Sequence, residues 1–265
     1  MDGQPSIVSV IVTDDPAMGP DFTEQRFRWL VRLARTNYRF EPFGTACVEP
    51  HILWRHDIDY SLEQASRIAT IEADEGVAAT YFFLVTCRYY SLLEREARRQ
   101  GRDIARRGHH IGLHFDPLAH ADDRRPMAEI VAWERRLLED LLGAPVETVS
   151  FHNPAQAGVL DLTQPEIAGL LNVYGGRVKT DYVYASDSFG LWRYKPIHEV
   201  LLEAEHPRLH LLTHPVWWTV EPADPRSKIA RCIGERSQFL QETYDQLLRD
   251  SGMWPALAAL ERKRP

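Results

Sequence analysis

Apolar runs in this chain end on carboxylates or imidazoles at four places: Arg55-His56-Asp57-Ile58-Asp59, Leu113-His114-Phe115-Asp116, Ser150-Phe151-His152-Asn153-Pro154 and Leu212-Thr213-His214-Pro215. Alternate residues of an extended chain share a face. Asp57 and Asp59 therefore point the same way, with Ile58 turned opposite. Two carboxylates so close repel each other unless a cation or a shared proton intervenes. A divalent metal removes the conflict. One Asp binds it, the other serves as a base toward water, and His114 and His152 supply imidazole ligands. Mixed nitrogen and oxygen ligation with a position left for water makes zinc the expected ion. Not all of the 11 histidines are counted in this set. His51, His206 and His210 read as structural or exposed. His110 shares a face with His114 but lies about 13 Å from it, at roughly 3.3 Å per residue. His109, which precedes the same strand, is not expected to reach that metal either.

The elements that position these residues alternate. An apolar segment at Ile7 to Val12 reads as a strand or N-terminal arm, and residues 22–36 place Phe22, Phe27, Leu30, Val31 and Ala34 on one helical stripe. His51 to Trp54 is apolar and leads into the first acidic segment. A helix over 61–75 follows, with Ser61 as its cap and Gly76 as its stop. Val77 to Thr86 has the composition of a buried strand. Next come a helix at 91–107, a strand from His110 to Phe115, a helix at 126–142 stopped by Gly143, and a strand from Val146 to His152. A helix at 196–204, a strand from Arg208 to His214 and a helix within 226–250 complete the pattern. Strand then helix, repeated with short connections, means parallel strands joined by crossover helices. The fold class is α/β, an open sheet or a (β/α) barrel, in which the C-terminal strand ends converge on the active site. With no repeat, low-complexity tract or long linker, residues 1–265 read as one domain with decorations.

Composition excludes several classes. The chain has 265 residues, with 31 Lys and Arg against 38 Asp and Glu, a formal net charge of −7. That balance argues against a nucleic-acid partner. No apolar run is long enough to form a transmembrane segment. The acidic N-terminus does not read as a secretory signal. Cys47, Cys87 and Cys232 are far apart and form no C-x-x-C pair, which excludes a disulfide framework or thiolate zinc knuckle and points to a reducing, cytoplasmic location. Neither G-x-S-x-G nor the glycine-rich nucleotide motifs occur.

From about residue 50 to 218 the ordered segments resemble the polysaccharide deacetylase (NodB-like) family of carbohydrate esterases. Trp54 to Tyr60, W-R-H-D-I-D-Y, resembles the divergent H-D-x-D form of that family's opening T-F-D-D-G-like segment. Gly76 to Thr86 resembles G-x-x-A-T-F-F, and Gly108 to Pro117 resembles G-H-E-I-G-x-H. The resemblance implies a distorted (β/α) barrel with Asp57 as catalytic base, Asp59 as metal ligand and His114 as the first metal histidine. One departure is clear. The family usually carries H-[ST]-x-x-H, and Leu118 stands where the second histidine belongs. His152, His120 and Asp116 are the three replacements. His152 is preferred because Ser150 to Pro154 resembles F-R-x-P with His in place of Arg. Tyr184 to Arg193 resembles the D-x-x-x-W region that lines the groove. It implies Asp187 and Trp192 as substrate-binding residues, with Asp187 able to orient a catalytic group and Trp192 to stack on a sugar. Leu209 to Pro215 resembles the L-x-H segment that supplies the general acid, here His214, with Trp217 and Trp218 as an apolar wall. The implied activity is metal-dependent removal of an acetyl group from an N-acetylated sugar or related small-molecule acetamide. The alternatives are hydrolysis of another C–N bond, or a catalytically altered or inactive sugar-binding or regulatory member of the same fold.

Overall fold

A computed structural model of the chain describes residues 21–46, 50–192 and 195–255. The expected strand at Ile7 to Val12, Cys47 and Arg193 lie outside the described residues. The strands are β1 (Arg39–Phe40), β2 (His51–Ile58), β3 (Thr80–Leu84), β4 (His110–Phe115), β5 (Val146–Phe151), β6 (Glu166–Ile167), β7 (Leu170–Asn172), β8 (Val183–Ser186) and β9 (Arg208–Thr213). The helices are α1 (Glu24–Asn37), α2 (Leu62–Asp74), α3 (Arg95–Arg106), α4 (Met127–Leu142), α5 (Gly176–Asp181), α6 (Ile197–Glu203) and α7 (Pro225–Asp250).

One sheet runs in the order β6-β7-β5-β4-β3-β2-β9-β8, with β1 beside the start of β2. Every pair is parallel except β6 with β7. The sheet is a distorted (β/α) barrel whose end strands, β6 and β8, do not pair among the described residues. Since β7 lies near one end and β8 at the other, the chain between them, residues 173–182 with α5, crosses from end to end. Tyr182 hydroxyl, 2.8 Å from His51 Nε2, and the Arg208–Asp181 ion pair tie that crossing to β2 and β9.

Both faces of the sheet are covered, so all eight residues of β2 are buried and the strand shows no apolar–polar alternation. Outward residues such as Ile52, Trp54 and Ile58 join Phe27, Leu30 and Val31 of α1 and Ala65, Ile68 and Ala69 of α2 in the larger core. Inward, a smaller core of Phe43, Leu53, Phe82, Val173 and Val178 plugs the barrel. Gly112 on β4 makes room for that plug. A Cβ there would meet the Phe82 ring at 2.5 Å and Thr148 Oγ1 at 2.8 Å. Gly112→Ala should therefore lower unfolding stability by about 1–3 kcal/mol through overpacking, read as a shifted urea midpoint with unchanged slope.

His56 points outward from β2 into a closed polar network. Trp54 Nε1 donates to Thr213 Oγ1 at 3.0 Å, Thr213 Oγ1 lies 2.8 Å from His56 Nδ1, and His56 Nε2 lies 2.8 Å from Glu72 Oε1. Tyr81 hydroxyl donates to Glu72 Oε2 at 2.6 Å. Burial pushes the Glu72 carboxyl up, and His56, His109 and Tyr81 more than reverse it, leaving the pKa lowered. These bonds fix β2 against α2 directly behind Asp57.

The main elements match the sequence expectation with small shifts in their ends. Ser61 caps α2 by accepting from the Gln64 N–H, as expected. The strand expected over 77–86 pairs only over Thr80–Leu84, and the helix expected from 91 begins at Arg95, after a turn. β1, β6, β7, β8 and α5 leave no mark in the sequence, because with two to six residues each they are too short to carry a periodicity. No described helix is long and apolar enough to cross a membrane.

Candidate active site

The C-terminal ends of β2, β4, β5 and β9 bring the four chemical segments together. Asp59 follows β2, His114 lies within β4, and His152 and His214 each stand one residue beyond β5 and β9. Three atoms form a near-equilateral triangle. Asp59 Oδ1 lies 3.1 Å from His114 Nε2 and 3.3 Å from His152 Nδ1, and the two nitrogens are 3.2 Å apart. A tetrahedral ion with bonds of about 2.0 Å needs donor atoms about 3.3 Å apart, so the triangle fits one face of a zinc-like site. Asp59 Oδ1 is buried, and its polar neighbours at the triangle are the two imidazole nitrogens, neither in hydrogen-bond geometry with it. Burial raises the Asp59 carboxyl, but the contacts with His114 and His152 outweigh it and hold the group well below the ordinary carboxylate range. Burial likewise opposes charge on His152, yet Asp59 leaves its pKa raised.

The other ring nitrogens are also engaged. His114 Nδ1 lies 2.7 Å from Ser150 Oγ, on the neighbouring strand in register. His152 Nε2 lies 2.9 Å from the Asn153 side-chain amide. A half-turn of that amide presents its oxygen to an Nε2–H. Asn153 adopts φ 45°, a left-handed conformation that Asn tolerates better than most residues, and so turns the chain just after His152.

Asp57 stands beside the triangle, its Oδ2 3.8 Å from His114 Nδ1. Arg55, two residues earlier on the same inward face, donates from Nη2 to Asp57 Oδ2 at 2.9 Å and to the Tyr174 hydroxyl at 2.7 Å. The guanidinium is fully buried, 5.6 Å from the Phe82 ring centre and 4.8 Å from that of Tyr174. Burial opposes its charge, but Asp57 and the surrounding hydroxyls outweigh burial and raise its pKa. Asp57 Oδ1 is buried without a hydrogen-bond partner, so one oxygen of the carboxylate is anchored and the other is left for chemistry. The sequence reading missed Arg55, Tyr174 and Ser150. For Arg55 a signal existed, because residues 55, 57 and 59 alternate onto one face.

His214 is held by Asp187. Its backbone N–H lies 3.0 Å from both Asp187 oxygens, and its Nδ1 lies 2.7 Å from Oδ1. Trp218 Nε1 donates to Asp187 Oδ2 at 2.8 Å. The other imidazole nitrogen, Nε2, faces the triangle, 3.9 Å from Asp59 Oδ2. Burial lowers the imidazole pKa, but Asp187 and then Asp59 push it up to about 9.

Several expected positions differ. Asp187 is fully buried and does not line the cleft, so it sits behind His214 and out of reach of a substrate. Trp192 also lies off the cleft. It stacks on Phe22 at 4.8 Å and donates to Asp21 at 3.1 Å, because the chain turns away through Phe189 and Gly190 at φ 61° and 71°. Of the three replacements for the missing histidine, only His152 joins the triangle. His120 stacks on Phe115 and pairs with Glu134 at 2.7 Å, and Asp116 caps the turn after β4 by accepting from the Leu118 N–H. His210 is buried and, unlike the exposed His206, lines the cleft. Trp217 lines it too, whereas Trp218 lies beneath.

The cleft over the cluster has a volume of about 520 Å³, with Tyr60, Phe151, Tyr174, Tyr182, Tyr184 and Trp217 among its walls.

No family model matches this chain, and no curated protein does. Solved structures do match. A family 4 carbohydrate esterase from Bacillus anthracis is 14% identical, with 79% of this chain and 86% of that chain covered and a TM-score of 0.39. A CE4 family pseudoenzyme from Bacillus anthracis is 15% identical, with 74% and 62% covered and a TM-score of 0.37. A mutant of that pseudoenzyme with restored enzymatic activity is 14% identical, with 72% and 64% covered and a TM-score of 0.37.

Proposed function

We propose that this chain is a metal-dependent hydrolase that removes the acetyl group from an N-acetylated sugar or related acetamide. One observation carries the reading: three donor atoms at tetrahedral-edge spacing, with a half-anchored carboxylate on one side and a carboxylate-held imidazole on the other. Asp59, His114 and His152 would hold the metal, expected to be zinc, which when bound would supply Lewis acidity toward the amide carbonyl. Asp57 Oδ1 takes a proton from the water that attacks the carbonyl carbon, while Arg55 keeps Oδ2 in place. His214 Nε2 gives its proton to the amine nitrogen as the C–N bond breaks, and Asp187 favours the protonated imidazole that this requires. The products are a free amine and acetate. The aromatic cleft walls exclude water and offer flat apolar faces to a sugar ring. Unpaired thiols at Cys87 and Cys232 suit the cytoplasmic setting included in this proposal.

The test is metal analysis of the purified protein together with acetate release from N-acetylglucosamine and its short oligomers. A protein grown with ample zinc, iron and manganese that carries no stoichiometric divalent metal would overturn the reading. The ligand assignment has its own check. His152→Ala should weaken zinc affinity by more than the roughly 10–100-fold typical of losing an outer partner, while His120→Ala should leave it within about twofold. A calorimetric zinc titration giving the reverse order would refute it.

A further inference from the structure

The cleft does not end at the cluster. His210 precedes His214 by four residues on the same inward face of β9, and both line one cavity, so it descends about 13 Å below the strand ends. Under Asp57 the barrel is filled by Arg55, Phe82 and Leu53. The open space lies beside β8 and β9 and is walled on its far side by the crossing at 173–182. Val173, Val178 and Leu212 line it with the rings of Tyr182 and Tyr184, Lys179 lies beside Val178 on α5, and Asn153, Gln156 and Ser188 line it as polar groups near the strand ends. His210 adds no charge to the floor, since burial and then the nearby Arg55 hold its pKa well below the ordinary value.

An acetyl methyl occupies only the top of such a space. We propose that the cleft accepts acyl groups of several carbons as well as acetyl, with the lower chamber receiving the added hydrocarbon. This rests on the amide-hydrolase reading above and widens the substrate class within it. The hydroxyl-rich amine half stays with Asn153, Gln156, Ser188 and solvent, and the hydrocarbon lies against Val173, Val178 and Leu212, as burial of apolar surface favours.

Straight-chain hydroxamates test this without turnover, because the chelating head occupies the metal and the alkyl chain takes the direction of the acyl group. The zinc-loaded protein is titrated calorimetrically with acetohydroxamate through hexanohydroxamate. The expected result is tightening by up to about fourfold per methylene, the equivalent of ~0.8 kcal/mol per buried CH₂, and more than tenfold over the series. Val178→Phe should remove most of the gain for the longest chain. Equal affinities along the series in the wild-type protein would overturn this inference alone and leave the metal centre standing. Failure of every hydroxamate to bind would overturn the metal-centre reading and this inference with it. The wild-type series decides the question even if the variant does not fold.

Discussion

Asp59→Ala is expected to yield a folded protein that binds no stoichiometric divalent metal and has lost turnover. Asp59 is the sole anion of the Asp59–His114–His152 set. Without it, two imidazoles and the nearby His214 face the same space, and any ion there lacks a charged ligand. Zinc affinity should fall by at least about 10³-fold, more than the loss of an outer partner. The rate should fall at least comparably, because the Lewis acid's several kcal/mol leave with the ion. Elemental analysis and a zinc titration check the first part, and acetate release checks the second. The side chain is short and part-exposed, so its removal opens no large cavity and circular dichroism should match wild type. Metal retained at wild-type affinity would remove Asp59 from the ligand set and the proposed function with it.

Asp57→Asn has a different expected signature: metal content unchanged, kcat reduced by about 10²–10⁴-fold, and stability reduced. The amide keeps the shape of the carboxylate but cannot accept the proton from water, and losing a positioned base costs that range. The stability loss arises from Arg55. Its guanidinium is fully buried and Asp57 is its ion-pair partner, at 2.9 Å. Removing one partner of a buried pair strands the other charge and costs about 3–5 kcal/mol. Arg55→Met combined with Asp57→Asn should recover much of that stability and none of the rate. Unchanged kcat in the single variant would make Asp57 structural, and unchanged stability would mean that the pair is not buried as described.

The sequence shows the parts of this site that depend on strand ends and hides those that depend on what crosses them. Asp57, Asp59, His114, His152 and His214 are legible because each closes an apolar run, and the ends of parallel strands meet at one mouth. The choice of His152 over His120 follows from the same logic, since His120 lies in a polar turn. Arg55 is faint because β2 is buried on both faces, so only its alternation with Asp57 and Asp59 marks it as inward. Asp187 and Trp192 show the limit of motif resemblance. It gives their order along the chain but not their direction. A left-handed turn at Phe189 and Gly190 carries Trp192 off toward α1, and Asp187 turns inward to grip His214. The wall from β7 through α5 to β8 is illegible because none of its elements is long enough to leave a pattern.

That wall has an evolutionary consequence. The proposed reacting groups stand within, or one residue beyond, strands locked in a parallel ladder, where a one-residue slip would turn every side chain to the other face. In the proposed placement the guest's long axis would be bounded by residues 173–182, a connection whose path no strand ladder dictates. Selection can therefore lengthen, shorten or resurface this single stretch and retune which molecules fit, while the ladder carrying the reactive groups keeps its register. On the proposed function, diversification of substrate range and preservation of chemistry would fall on separate stretches of the gene.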